Sequence, residues 1–147
     1  MRKLYCVLIL FFCGACDKAG APYRKCEGYW KIMEYEVTNV AGTTDYIESG
    51  YSGAYFFSSG CEGTPDSWCS GDRWLQFPDS IAGGYLSEET FEFRFIDDAQ
   101  RIAFELHYSG VTNTIEDTAE VIELSKSWVV FIFENGTSSV RVSLEPE

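Results

Sequence analysis

The chain of 147 residues carries one histidine and two methionines, and only 11 basic residues against 23 acidic ones. Each shortage excludes something. With His107 as the sole imidazole, H-E-x-x-H and every other paired-histidine metal motif are ruled out. No G-x-S-x-G, P-loop or G-x-G-x-x-G occurs, so the nucleophile elbow and the phosphate-cradling loops are missing as well. A formal net charge of −12 repels nucleic acid and anionic headgroups, which makes DNA, RNA and polybasic membrane adhesion poor hypotheses. Also lacking is an apolar run of the roughly 20 residues that a membrane-spanning helix needs. What is present is 46% hydrophobic and 16% aromatic residues, enough for the core of one domain.

Met1-Arg2-Lys3 gives a positive start, and Leu4 to Phe12 is a short apolar stretch of signal-peptide length. Cys13-Gly14-Ala15-Cys16 then has C-x-x-C spacing. A thioredoxin-type redox pair belongs at a strand-to-helix turn inside a βαβ pattern, whereas only a signal-like segment precedes this one. In place, the run resembles the lipobox of bacterial lipoproteins. In that family the Cys thiol receives a diacylglyceryl group, the peptide is cut before it, and its new amine is acylated. The resemblance makes Gly14 and Ala15 the small positions and Cys16 the lipidated first residue, with Cys13 departing from the usual leucine. An ordinary cleaved signal peptide without lipid is the alternative. The implied organisation is a signal peptide over 1–15, a lipid-anchored tether over 16–26 and a single domain over 27–147. The tether reading rests on "DKAGAPYRK", which has Gly, Ala and Pro but no apolar period. Loss of Arg2 and Lys3 would take the net charge from −12 to −14, so acyl chains rather than charge would hold the protein at the membrane.

Cys26, Cys61 and Cys69 remain for pairing, in an exported compartment that permits disulfides. "CEGTPDSWC" sets Cys61 and Cys69 around a Gly-Thr-Pro-Asp turn and favours Cys61–Cys69. Cys26 pairing with either one is the alternative, because spacing alone does not define connectivity. Three thiols with no nearby histidine point away from zinc, and no cofactor is expected.

From Glu27 onward the hydrophobic period is 2 rather than 3.6. "GYWKIMEYEVT" changes phase partway, which predicts a bulge or a change of face. In "TFEFRFIDDAQRIAFELHY", Phe91, Phe93 and Phe95 alternate with polar residues, and Ile102, Phe104, Leu106 and Tyr108 do so after the "DDAQ" turn. Folding there places Phe95 near Ile102 and Phe93 near Phe104, a hairpin with one apolar face. Asn135-Gly136 predicts a type I′ turn between "SWVVFIF" and "SSVRVSL". Many short strands, about 8–10, separated by turn residues predict an all-β fold, a closed barrel or a sandwich.

These features resemble the lipocalin-like lipoproteins common in Bacteroidota. The matches are the lipobox with its tether, the Gly28-Tyr29-Trp30 strand, the aromatic hairpin, and the "VIELSKSWVVFIF" strand pair. The resemblance implies an antiparallel up-and-down β-barrel of about 8–10 strands, open at one end, a cup for a small hydrophobic ligand, and anchoring by lipid in the cell envelope at the outer membrane. In the wider lipocalin family the first-strand Trp closes the barrel base under an Arg of the last strand. Trp30 and Arg141 are the candidates for those structural roles.

Nothing in the sequence points to an enzyme. His107 lies opposite the apolar face of its strand, facing solvent or pairing with Glu92 or Glu105. Glu88-Glu89 and Asp97-Asp98 read as solvated turn acids rather than a glycosidase pair. The aromatics exceed what a bare core requires, and Trp68, Trp74, Phe91, Phe93 and Phe104 are the candidate ligand or partner contacts. Two functions follow as expectations. One is a lipid-anchored barrel binding a small hydrophobic molecule. The other is an envelope interaction protein or enzyme inhibitor presenting the Cys61–Cys69 loop to a protein partner; several envelope lysozyme inhibitors are also small β-barrel lipoproteins.

Overall fold

The computed structural model describes residues 20–47, 50–61, 67–77, 86–107 and 114–147. They form one short α-helix, α1 (Ala21–Cys26), a three-residue 3-10 turn (Asp97–Ala99) and nine strands. The strands are β1 (Gly28–Asn39), β2 (Gly42–Asp45), β3 (Ser52–Phe57), β4 (Cys69–Gln76), β5 (Leu86–Ile96), β6 (Arg101–His107), β7 (Ile115–Leu124), β8 (Val129–Asn135) and β9 (Ser138–Pro146). Each strand from β3 to β9 pairs antiparallel with the next, and β9 pairs back onto β1. The result is a closed eight-stranded up-and-down barrel, within the range the alternation predicts. The ninth strand, β2, is an addition: β1 offers its first half to β3 and its second half to β2.

The phase change in β1 is a bulge. Pairing with β9 slips between Ile32 and Glu34, leaving Met33 as the extra residue. Trp30 and Ile32 before the bulge and Tyr35 after it can therefore all join the core. The β5–β6 hairpin has the expected register, Phe93 opposite Phe104 and Phe95 opposite Ile102. Its turn places Asp97, Asp98 and Ala99 in the left-handed region, with φ of 53°, 55° and 63°.

The β8–β9 turn departs from expectation by one residue. Asn135 pairs with Ser138, so Gly136 and Thr137 make the connection, and only Gly136 has positive φ (61°). Glycine at the first central position belongs to type II′ turns rather than I′. Packing decides the register: Phe133 and Val140 are opposite each other and both pack against the core.

Six aromatic side chains fill the barrel. Tyr55, Phe57, Phe91, Phe93, Phe104 and Phe131 are fully buried, with neighbouring ring centroids 5.0 to 6.0 Å apart. Most pairs are edge-to-face or tilted, the arrangements that ring quadrupoles favour. Space for these rings comes from glycine. A Cβ on Gly71 would stand 2.4 Å from Cζ of Phe91 and 2.6 Å from the Phe56 carbonyl oxygen.

Helix α1 closes one end of the barrel. Pro22 lies in its first turn, where a missing N–H costs nothing. Tyr23 packs on Phe93 and Phe95, and its hydroxyl accepts the Phe95 N–H at 3.1 Å. That amide lies beyond the last β4–β5 register pair, Cys69–Phe93, so α1 completes the sheet's hydrogen bonding as well as its packing. Residues 21–26, read from sequence as part of a tether, are thus an ordered plug. Cys61 and Cys69 form the disulfide, with Cα atoms 5.8 Å apart. Cys26 is a free thiol buried in α1, and burial pushes its pKa up to about 12.

Gly71→Ala is expected to lower stability by about 1–3 kcal/mol through overpacking, despite alanine's smaller backbone entropy cost. Urea unfolding of the variant checks this, and an unchanged midpoint would show that Phe91 can yield.

Candidate functional site

Towards the end of the barrel opposite α1, the inward positions change character. On β4 the inward series runs Cys69, Gly71, Arg73, and on β5 it runs Phe95, Phe93, Phe91, Glu89. Arg73 is directly opposite Tyr55 on β3 and directly opposite Glu89 on β5. The three side chains therefore form one cross-strand row immediately above the phenylalanine stack. The Arg73 guanidinium donates to the Tyr55 hydroxyl at 3.1 Å and forms a close ion pair with Glu89. The Ser87 hydroxyl donates to the other Glu89 oxygen at 3.0 Å, fixing that carboxylate. Both charged side chains are only 13% exposed. Burial opposes the Arg73 charge, but Tyr55 and Glu89 outweigh it and hold the guanidinium pKa above its ordinary value. Arg73 Nε is buried and has no hydrogen-bond partner among the described residues.

Above this row is a cavity of about 240 Å³ in the barrel mouth. Arg73 and Tyr55 line it together with Phe104, Leu106, Phe133, Val140 and Tyr35, while Asp117, Asn135 and Ser138 add polar atoms. One wall is thus apolar and aromatic, and another presents N–H and O–H groups. The arrangement suits a small molecule with an apolar body and a hydrogen-bond acceptor. A shallower hollow of about 400 Å³ lies along β4 and β5, where Trp74, Asp72, Glu88 and Thr90 meet Arg73 and Glu89.

The residues singled out from sequence divide among several places. Phe104 lines the mouth cavity, whereas Phe91 and Phe93 lie deeper, fully buried among other rings. Trp74 is 40% exposed and lines the outer hollow. Trp68 is half-buried, with the Arg94 guanidinium 4.5 Å from its ring centroid, so a cation already covers one face. Trp30 is buried beside α1 and donates its indole N–H to the Cys26 carbonyl at 2.6 Å. Arg141 is not its partner. Its register position is opposite Glu36, its guanidinium lies 3.6 Å from Glu34, and Trp30 instead faces Pro146 on β9. Val140 and Val142 take the inward phase of β9, which turns Arg141 out. Glu88 and Glu89 are strand residues rather than turn acids. His107 sits 3.6 Å from Glu92, one of its two expected partners. Cys16 lies outside the described residues.

Arg73, Glu89 and Tyr55 were not among the sequence candidates, although phase could have found them. Arg73 is in step with Gly71 and Cys69, and Glu89 with Phe91, Phe93 and Phe95.

No protein-family model matches the chain, and no curated protein matches it. Among solved structures it is similar to a redesigned beta barrel, over 86% of this chain and 95% of that one, with a TM-score of 0.51 and 14% identity. The class is therefore that of closed antiparallel eight-stranded barrels. At this identity the likeness concerns the fold alone.

Replacing Glu89 by Gln leaves Arg73 buried without its counter-charge and should cost about 3 kcal/mol in urea unfolding. The double replacement Arg73→Met with Glu89→Met removes both charges and should return stability to within about 1 kcal/mol of the parent.

Proposed function

We propose that this protein is a lipid-anchored envelope protein of lipocalin-like type that holds a small amphipathic ligand in its barrel mouth. One observation carries the ligand half of this reading: a cavity of about 240 Å³ whose polar wall is a buried Arg73–Tyr55–Glu89 row. A barrel built only for stability gains little from an inward ion pair, since hydrophobic replacements are often at least as stable. The volume falls just below the roughly 300–1,000 Å³ of drug-sized ligand sites, which favours a small molecule over a long acyl chain. Its apolar part would meet Leu106, Phe104 and Phe133, and its acceptor would meet the Arg73 and Tyr55 donors. The anchoring half rests on the lipobox-like run ending at Cys16. It gains support from geometry, because α1 at the closed end begins five residues after Cys16. The cavity would then open away from the membrane.

The second reading, an inhibitor presenting the Cys61–Cys69 loop, is favoured by a different observation: rings fill most of the barrel, and a disulfide ties the loop's base.

Native mass spectrometry of the purified protein tests the ligand reading. A bound small molecule is expected in the parent protein and should be lost or much reduced in the Arg73→Met, Glu89→Met double variant. A parent protein free of any such molecule, with none retained after exposure to envelope extract, would overturn it and favour the loop reading. Anchoring is tested separately. Cys16→Ala should move the protein from the membrane fraction to the soluble fraction, and persistence at the membrane would contradict lipidation.

A further inference from the structure

The outer face of the β5–β6–β7 sheet carries an unusual row. Glu92 is directly opposite Glu105, and Glu105 is directly opposite Glu116. Three carboxylates thus follow one another straight across three strands, with Ser70 completing the row on β4. Like charges directly opposed on a sheet face destabilise it. No lysine or arginine stands in the row to offset them. Arg94, the next outward residue along β5, has its guanidinium over Trp68. Arg101, farther along β6, pairs with Asp97. The group that does approach is the protein's single imidazole. His107 is the next outward residue after Glu105, and its Nε2 lies 3.6 Å from a Glu92 oxygen.

One donor atom from each of Glu92, Glu105 and His107 lies within 4.8 Å of the others. We propose that these three residues form a surface site for a divalent first-row transition-metal ion. Bonds of about 2.0–2.2 Å to zinc require donors within about 4 Å of one another. Side-chain rotations of about an ångström would close the set, and the 3.6 Å pair already fits. One nitrogen and two oxygens suit Zn²⁺ or Cu²⁺, because imidazole favours these ions over calcium and magnesium. Both strands are held on each side by neighbours in a closed barrel, so the backbone beneath the donors is fixed. The side chains are half-exposed, which leaves coordination positions open to water and gives the ion a direct entry path. Glu116 adds negative charge beside the site. This inference is independent of the mouth cavity, which lies on the other side of the barrel wall.

The single histidine makes the test direct, since the imidazole C–H proton resonances of the full chain come from His107 alone. Titration with Zn²⁺ should shift those signals to saturation at one equivalent, and Cu²⁺ should give an electron paramagnetic resonance spectrum with one coupled nitrogen. Both His107→Ala and Glu105→Gln should weaken Zn²⁺ binding by at least about tenfold, since even outer-shell changes cost ten- to a hundredfold. Imidazole signals unmoved by millimolar Zn²⁺ would overturn the proposal. So would binding that survives His107→Ala, or Ca²⁺ competing as well as Zn²⁺, which would show only general attraction to an acidic face.

Discussion

The constraint on which the structure depends is the small volume inside an eight-stranded barrel. Strand number sets the diameter, and eight strands leave an interior that side chains nearly fill. Six buried rings occupy much of that interior, and the Phe91 ring fits only because Gly71 gives up side-chain volume opposite it. Glycine within a strand weakens it, so its presence at inward positions reflects a packing need stronger than local propensity. Gly53 shows the same pressure from the other side: a Cβ there would stand 2.8 Å from Ile32. Once the rings are placed, the remaining features follow. The closed end needs only a short plug, and the open end is left with a cavity too small for a large apolar cargo.

The two ends are finished by different chemistry. At the closed end, the Tyr23 hydroxyl and the Cys26 carbonyl take the Phe95 amide and the Trp30 indole, so both of these buried donors have a partner. At the open end, the ring stack gives way to a cross-strand row of Tyr55, Arg73 and Glu89, where charge is buried and one donor is left over. A buried ion pair rarely adds stability over a hydrophobic pair of the same size. Its position directly beneath a cavity gives it a use that stability alone does not.

Much of the fold was legible because a closed barrel leaves its mark as strict alternation. The β5–β6 register could be counted from Phe91, Phe93 and Phe95, and the phase slip in β1 predicted a bulge or a change of face, of which the bulge at Met33 is what forms. What stayed hidden depends on contacts distant in sequence. The Asn135-Gly136 signal was real, but the demand that Phe133 and Val140 share the core moved the turn by one residue. Arg141 seemed a partner for Trp30 only while the β1–β9 register was unknown. The plug was missed because six residues are too few to show a helical period. Arg73 and Glu89 were hidden for a different reason: charged side chains are ordinarily exposed, and only their phase with Gly71 and Phe91 sends them inward while Trp74 turns outward.

Similarity to a redesigned barrel at 14% identity shows how little of this sequence the fold itself requires. Alternation, turns and a filled core are enough to close such a sheet, and unrelated functions share such folds. Residues that run against those needs are therefore the informative ones. Inside, they are a charged pair where leucine or valine would pack. Outside, they are three glutamates set directly across from one another where alternating charge would be more stable. Both departures include strand β5, and they face opposite sides of one wall. The mouth row descends from β5 through Glu89, and the outer row crosses β5 at Glu92, an odd number of residues away. That odd spacing places one group in the barrel and the other in water, so the two sites share a backbone without sharing a solvent.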